Sequence, residues 1–265
     1  MGDEILYREK RPLPVGEIIA KSYGYAWNNR NALILPIAVL LLLDLLGAWL
    51  TIQIGAAGGL AALSLSFLSV LPFLIGTMAF AIGIHRHILL GEARQDLALF
   101  RFDRGLAVYV WTLVKISLAL LLICLVLIMP LLAVEAVTTA AKGQPPSLDM
   151  VLPLALAAIS VDLMFGLRLM LALPGAAVGG VRSIRGAWRM GSGNWARLIF
   201  VFFAVTLPFQ LPSLAMMQAH LGQASWALIV FNAVLSVISV PIFTVALALS
   251  YGTLVPSEPP KESQI

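Results

Sequence analysis

Residues 32–54 read ALILPIAVLLLLDLLGAWLTIQI, and Asp44 is the single ionisable residue in this run. A helix needs about 20 mostly apolar residues to cross the roughly 30 Å hydrocarbon core of a bilayer. The run meets that length, and it lacks the polar face that a surface helix of a soluble domain carries. It therefore predicts a membrane-spanning helix.

The composition extends this prediction to the whole chain. Of the 265 residues, 60% are hydrophobic and 11% are charged, and the mean hydropathy is +0.96. Soluble domains carry about 25% charged residues, so 17 basic and 13 acidic side chains are too few to cover a soluble surface. The composition predicts an integral membrane protein and excludes a soluble enzyme or carrier.

Six apolar stretches have the length of a membrane-spanning helix. The alternating pattern of a transmembrane β-barrel does not recur along the chain. The fold class predicted is therefore all-α, a polytopic membrane protein with six transmembrane helices. The predicted spans are residues 32–54, 61–84, 107–134, 150–171, 198–217 and 227–250.

The basic residues predict the orientation of these spans. Fourteen of the 17 Lys and Arg residues fall on one side of the six-span arrangement, whereas the other side has Lys142 alone. Because Lys and Arg are enriched in cytoplasmic loops, both termini are predicted to be cytoplasmic. The net charge of +4 thus reflects topology, and no nucleic-acid partner is expected. The predicted division is a cytoplasmic segment with an interfacial helix (1–31), a transmembrane domain (32–254) and a disordered cytoplasmic tail (255–265).

The spans are predicted to form three pseudo-repeated hairpins, each preceded by a cytoplasmic amphipathic segment. The return helices end at Arg86, Arg168 and Tyr251, which are 82 and 83 residues apart. A similar spacing of structural units is the mark of an internal repeat. The segments that precede the outward helices each contain a tryptophan, namely Trp27, Trp111 and Trp188.

Two of the amphipathic segments are typical of helices that lie in the headgroup plane. After Pro14, apolar residues from Val15 to Trp27 recur every three or four positions, which places them on one face of a helix. A second stripe before the fifth span has arginines beside it, which would point towards anionic lipid. Either segment could instead be a simple elbow that returns the chain to the bilayer. The lipid-headgroup candidates are Trp27, Arg182, Arg185, Trp188 and Arg189.

Two stretches resemble a known family. Residues 168–198, RLMLALPGAAVGGVRSIRGAWRMGSGNWARL, have an arginine, a proline, a small-residue turn, Ala-Trp and a Gly/Asn break in the order seen in six-helix bacterial membrane proteins. These proteins form the group around the membrane domain of glycerophosphoryl diester phosphodiesterase. Residues 15–36, VGEIIAKSYGYAWNNRNALILP, are similar to the first unit of that group. The resemblance implies a six-helix fold in the plasma (inner) membrane of a bacterium, and it implies no activity.

Polar residues within the spans are the remaining clue to function, because ionisable groups in hydrocarbon are costly. Asp44 and Asp162 are predicted to face the bundle interior, where Lys115 or Arg168 would neutralise them. The alternatives are a structural cluster that fixes helix register and a pathway for an ion or substrate. The intramembrane candidates are Asp44, Lys115, Asp162, Arg168 and Gln210, the last between Pro208 and Pro212.

No motif in the sequence indicates catalysis. HExxH and GxSxG are absent, and Cys124 is the only cysteine, so no cofactor, metal site or catalytic residue is predicted. His85, His87 and Glu92 lie too near a membrane boundary, without further ligands, to predict a metal site. Three functions are weighed: a non-enzymatic membrane protein that binds lipids, anionic ones included, or a partner membrane protein; a small transporter or channel; and an intramembrane enzyme.

Overall fold

The computed structural model describes residues 12–55, 59–92, 100–142, 160, 162–180, 183–219 and 226–255. Within these ranges all regular elements are helices. The protein is therefore an all-α polytopic membrane protein, as the composition predicts. The helices are α1 (Val15–Asn28), α2 (Arg30–Gly55), α3 (Gly59–Leu90), α4 (Arg104–Lys142), α5 (Leu167–Met170), α6 (Ala172–Val178), α7 (Ile184–Gly191), α8 (Trp195–Ala219) and α9 (Trp226–Leu254).

Five of these helices contain a stretch long and apolar enough to cross a membrane. They correspond to predicted spans one, two, three, five and six. At one end, each candidate span runs two to six residues beyond its predicted bound. The candidate spans are Arg30–Ile54, Leu68–Leu90, Arg104–Leu127, Trp195–Met216 and Trp226–Leu254.

The fourth predicted span, 150–171, lies largely outside the described residues. Its described part begins with a π-helical turn at Asp162–Gly166 and continues as a shorter apolar segment to Val178. The helix breaks at Leu171, because Pro174 has no N–H to bond to the carbonyl of Met170. The apolar segment thus ends at Val178, seven residues later than predicted, and the following Gly179, with a φ of +77°, reverses the chain.

Helices α2 and α3 pack closely because small residues occupy their contact. A Cβ atom added at Gly47 would lie 2.9 Å from the carbonyl oxygen of Ser69, and one at Gly76 would lie 3.2 Å from Leu40 Cδ2. Thr51 Oγ1 and Ser69 Oγ also share a hydrogen bond of 2.8 Å. Such contacts let helix backbones approach in a bilayer, and they fix α2 and α3 as an antiparallel pair.

The core lies at one end of the bundle. Buried residues concentrate in the last part of α3 (residues 78–85), in α6 and in the last part of α9 (residues 241–248). These three segments contact one another; the first and the last lie in the second and sixth predicted spans, and α6 directly follows the fourth. We call this end, where α2 and α8 begin and α3 and α9 end, the basic end, because the arginines of the described chain gather there.

Tryptophans mark both ends of the bundle. Trp27, Trp111 and Trp195 are exposed at the basic end, and Trp49 and Trp226 are exposed towards the other. From Arg30 to Trp49 helix α2 rises about 28 Å at 1.5 Å per residue, close to the thickness of the hydrocarbon core. This spacing is that of the two aromatic belts of a membrane protein.

Helix α1 is attached to the bundle by specific hydrogen bonds. The backbone N–H of Leu13 donates to Asn194 Oδ1 at 3.0 Å, and Tyr23 Oη donates to the carbonyl of Ala204 at 3.1 Å. The prediction of a helix here is confirmed. The side chain of Trp27, near the end of α1, is 70% exposed.

Candidate functional site

A cluster of three charged side chains lies at the basic end. Arg86 Nε donates to Glu92 Oε1 at 2.9 Å and to Oε2 at 3.1 Å, and Arg86 Nη2 also donates to Oε1. Arg101 Nη2 donates to Oε2 at 2.8 Å. One carboxylate is thus shared between two guanidinium groups, which leaves a net charge of +1. We call Arg86, Glu92 and Arg101 the charged cluster.

The end of helix α3 brings Glu92 back towards Arg86. Gly91 has a φ of +67°, a conformation that glycine adopts without a Cβ penalty and that commonly ends a helix. The N–H of Gly91 donates to the carbonyl of His87 at 3.1 Å, and His87 Nδ1 lies 2.8 Å from the carbonyl oxygen of Glu92. The chain reverses at Gly91, so the carboxylate of Glu92 lies beside the last turns of α3.

Arg101 reaches the cluster from a segment that runs back along α3. The N–H of Arg101 donates to the carbonyl of Ala79 at 3.2 Å. The Phe100 ring lies 5.8 Å from the Phe80 ring and stacks at 6.4 Å on Phe102. Ala79 lies seven residues before Arg86, or about 10 Å along the helix, so the side chain of Arg101 must extend towards the polar end of α3 to meet Glu92.

The two arginines determine the electrostatics of Glu92. Hydrogen bonds from Arg86 lower the pKa of the Glu92 carboxyl, partial burial opposes this shift, and the positive charges of Arg86 and Arg101 reinforce it. Glu92 is therefore ionised at neutral pH. The Nε of Arg101 is buried and has no hydrogen-bond partner among the described residues, so the cluster retains an unused donor.

An apolar cleft of about 690 Å³ is lined in part by Phe100 and Phe102, the two neighbours of Arg101 in the chain. It lies between α2 and α3, and the two phenylalanines on either side of Arg101 form one of its walls. Gly76, one turn from Ala79, contributes to its floor. We call this the apolar cleft, and its lining residues are Val39, Leu43, Leu68, Leu71, Pro72, Ile75, Gly76, Phe100 and Phe102.

A second cleft of about 660 Å³ lies where α1 crosses α3 and α9. Lys21, Asn28 and Asn29 contribute its polar lining, and Val245 and Leu249 are among its apolar lining. Lys21 Nζ is already paired with the carboxylate of Glu17 at 2.6 Å. Its cation is thus less available for a ligand than those of the charged cluster.

His85 is the most deeply buried ionisable residue of the region. Its Nε2 lies 3.4 Å from Tyr109 Oη, and its Nδ1 has no hydrogen-bond partner among the described residues. Within the described ranges, no group of three or more His, Cys, Asp or Glu side chains could hold a metal ion. The sequence did not predict that His85 is buried while the polar residues beside it are more exposed, because burial at a helix end depends on partners from other helices.

The structure does not gather the intramembrane candidates into one site. Asp44 lies half-buried on the face of α2 that includes buried Leu40, and the ion pairs of the described residues do not include it. Lys115 Nζ lies 5.5 Å from the Trp111 ring. The amide of Gln210 is exposed on α8, which continues through both neighbouring prolines. The side chain of Asp162 lies outside what the structure describes.

Arg168 packs inside the bundle beside α7. Its guanidinium carbon lies 4.4 Å from the Trp188 ring centroid, and the same ring stacks at 5.4 Å on Phe165. A Cβ at Gly191 would lie 2.9 Å from Arg168 Cγ, so Gly191 gives the arginine its space. Trp188, predicted to contact headgroups, is therefore half-buried against the end of the fourth span.

The remaining headgroup candidates divide into three cases. Arg185 and Arg189 are exposed on α7, whose N-terminus is capped by Ser183 Oγ accepting from the N–H of Gly186 at 3.0 Å. Trp27 is exposed, and the guanidinium of Arg30 lies 5.1 Å from its ring. Arg182 lies outside the described residues.

The sequence did not predict the charged cluster, although part of the signal was there. Glu92 directly follows a glycine at the end of an apolar span, and arginines lie six residues before it and nine after it. A helix-ending glycine predicts a reversal. It does not predict which side chain the reversed segment meets, because that depends on how the following residues pack against α3.

Comparison with protein-family models, with curated proteins and with solved structures finds no match for this chain. The resemblance to the six-helix bacterial group therefore stays a prediction from the quoted residues.

Proposed function

We propose that this chain is a non-enzymatic, multi-pass protein of a bacterial plasma (inner) membrane that binds anionic lipids at its basic end, with both termini in the cytoplasm. The observation that carries the proposal is the gathering of exposed cations beside exposed tryptophans at that end. The exposed arginines are Arg30, Arg104, Arg185, Arg189 and Arg197.

The physical basis is the negative surface potential of a leaflet that contains anionic lipids. A Lys or Arg near such a surface contributes about 1 kcal/mol of attraction. This attraction falls off within a Debye length of about 8 Å at physiological salt. Trp27 and Trp111 support the proposal, because each lies beneath a basic side chain, an arrangement suited to the boundary between headgroups and hydrocarbon.

The test is the preference of the reconstituted protein for anionic lipid. We expect phosphatidylglycerol to be enriched over phosphatidylcholine around the protein. For Arg185→Gln and for Arg189→Gln, we expect that preference to fall about fivefold at the lipid each arginine contacts, the equivalent of about 1 kcal/mol. The matched control is Arg185→Lys, which keeps the charge. An unchanged preference in the double Gln variant would contradict the proposal.

The orientation has its own test. In a Cys124→Ser background, Asn28→Cys places a thiol on an exposed site of α1, and Ala227→Cys places one at the opposite end of the bundle. A membrane-impermeant thiol reagent should label residue 227 in intact cells and residue 28 only after the cells are opened. The reverse pattern would mean that the basic end faces outwards.

Transport is the second candidate function, and the buried His85 is the observation that favours it. An ionisable residue within a membrane bundle commonly belongs to an ion or proton pathway. The test is proton or ion flux into liposomes that contain the protein. Flux that His85→Gln removes, in a protein that still folds, would favour transport over lipid binding alone.

A further inference from the structure

We propose that the apolar cleft and the charged cluster together hold one anionic phospholipid. Its phosphate lies against Arg101, and an acyl chain occupies the space between α2 and α3. This inference rests on the proposed function and names the place and the chemical class of one bound lipid. The binding differs from general attraction to the basic end, because a polar and an apolar part of the same ligand are recognised together.

The charged cluster has the right charge for a phosphate. Two guanidinium groups share the carboxylate of Glu92, so these three side chains carry a charge of +1. The carboxylate of Asp103 also acts on Arg86 through its charge, and the exposed Arg104 beside it returns the total of the five side chains to +1. An arginine has five N–H donors, and Glu92 receives one of those of Arg101. The Nε of Arg101 is buried, but the side chain is 36% exposed, so we expect the ligand to use the donors of Nη1 and Nη2. Arginine and phosphate form strong, often bidentate, hydrogen bonds.

The guanidinium of Arg101 and the apolar cleft are connected through residues 100–102. Arg101 lies between Phe100 and Phe102, and both rings line the cleft. The N–H of Arg101 bonds to the carbonyl of Ala79, one helical turn from Gly76 at the cleft floor. The guanidinium of Arg101 extends about 10 Å from Ala79 towards Glu92, whereas the cleft extends from Phe100 in the opposite direction along α3. The glycerol and ester groups of the ligand would span the distance between them.

The cleft selects a hydrocarbon chain over a soluble anion. All its lining residues are apolar, and several of them are exposed on the surface of the bundle that faces the bilayer, among them Leu68, Ile75 and Phe102. Free phosphate would use the cation and leave the cleft unused. A phospholipid uses both. Because its acyl chain comes from the hydrocarbon of the bilayer, van der Waals packing against the cleft lining, and not transfer from water, favours the bound position.

Native mass spectrometry of the full chain, released from nanodiscs of phosphatidylglycerol and phosphatidylcholine, tests the inference. We expect one phosphatidylglycerol to remain bound after the other lipids have dissociated. Ile75→Trp, which fills the cleft from an exposed position, and Arg101→Gln, which removes the cation, should each weaken retention about 10- to 100-fold. Glu92→Gln should strengthen it, since the cluster then carries a charge of +2.

Two matched controls make the result specific. Leu121→Trp adds the same bulk at an exposed position of α4 outside the cleft, and Arg185→Gln removes the same charge from α7. Neither should affect the retained lipid. If Arg101→Gln does not fold, Ile75→Trp alone decides the question, because its side chain is 42% exposed and is not part of the core.

The outcomes separate this inference from the proposed function. A wild-type protein that prefers phosphatidylglycerol, but retains it equally in Ile75→Trp and Arg101→Gln, overturns the inference and leaves the general attraction intact. A wild-type protein with no preference for phosphatidylglycerol overturns both. If Ile75→Trp converts a dimer into a monomer without changing lipid retention, a second copy of the chain occupies the cleft and the inference is wrong.

Discussion

The substitution Glu92→Gln removes the anion that two arginines share. Hydrogen bonds to charged groups contribute about 1.5–3 kcal/mol when they are buried, whereas exposed ion pairs contribute about 0–1 kcal/mol. The side chains of Glu92, Arg86 and Arg101 are 27%, 28% and 36% exposed, between these limits. We therefore expect the free energy of unfolding to fall by about 1–2 kcal/mol.

The same interaction predicts a dependence on pH. Its arginine partners lower the pKa of Glu92 in the folded protein, whereas an unfolded glutamate titrates near pH 4.3. The stabilisation is therefore complete above the unfolded pKa and is lost as the pH falls through the lower, folded pKa. We expect this part of the acid destabilisation to be absent from the Glu92→Gln variant.

Thermal unfolding in detergent between pH 7 and pH 3 measures both effects. For a chain of this size, a loss of 1–2 kcal/mol corresponds to a fall in Tm of about 2–8 °C. Glu17→Gln is the matched control, because it breaks an exposed pair with Lys21 within one helix and should change stability by at most about 0.5 kcal/mol. Equal Tm values for wild type and Glu92→Gln at pH 7, and parallel losses in acid, would refute this account of the cluster.

Two further predictions concern helix packing, both measured by thermal unfolding in one detergent. Gly47→Val should lower the free energy of unfolding by about 1–3 kcal/mol, because the valine side chain would meet the carbonyl of Ser69. The control is Gly24→Ala, which has open space around it and should be neutral or raise stability by up to about 1 kcal/mol. If the valine is tolerated, α2 and α3 do not pack as described. Tyr23→Phe should cost about 0.5–1.5 kcal/mol through loss of the hydrogen bond to Ala204, and no change would indicate that α1 is held by other contacts.

The all-α fold and the positions of five of the six predicted spans could be predicted from the sequence because the bilayer constrains the length and composition of a span. A span must be about 20 residues long and apolar throughout, and no tertiary contact is needed to see that 32–54 meets this requirement. Contacts between residues four apart on one helix can also be predicted from spacing. Trp111 and Lys115 have that spacing on α4, although the sequence predicts an interior ion pair for Lys115.

The candidate sites depend on contacts between distant segments. Hydropathy places Asp44 and Arg168 within spans, but it does not show which helix each faces. Arg168 packs against Trp188, twenty residues later in the chain, because α7 folds back over the end of the fourth span. The contact between Arg101 and Glu92 likewise requires residues 100–103 to pack back along α3. Spacing along the sequence does not predict that packing.

The attachment of α1 has a consequence for the order of events during synthesis. Its two bonds to the bundle, from Leu13 and Tyr23, each join residues 181 positions apart. A ribosome adds about 5–20 residues per second, so α1 emerges roughly 10–40 s before its partners exist. During that interval Ile18 and the rest of its apolar face have the membrane surface as their nearest apolar partner. Helix α1, made before the other described helices, is thus among the last of them to reach its native contacts.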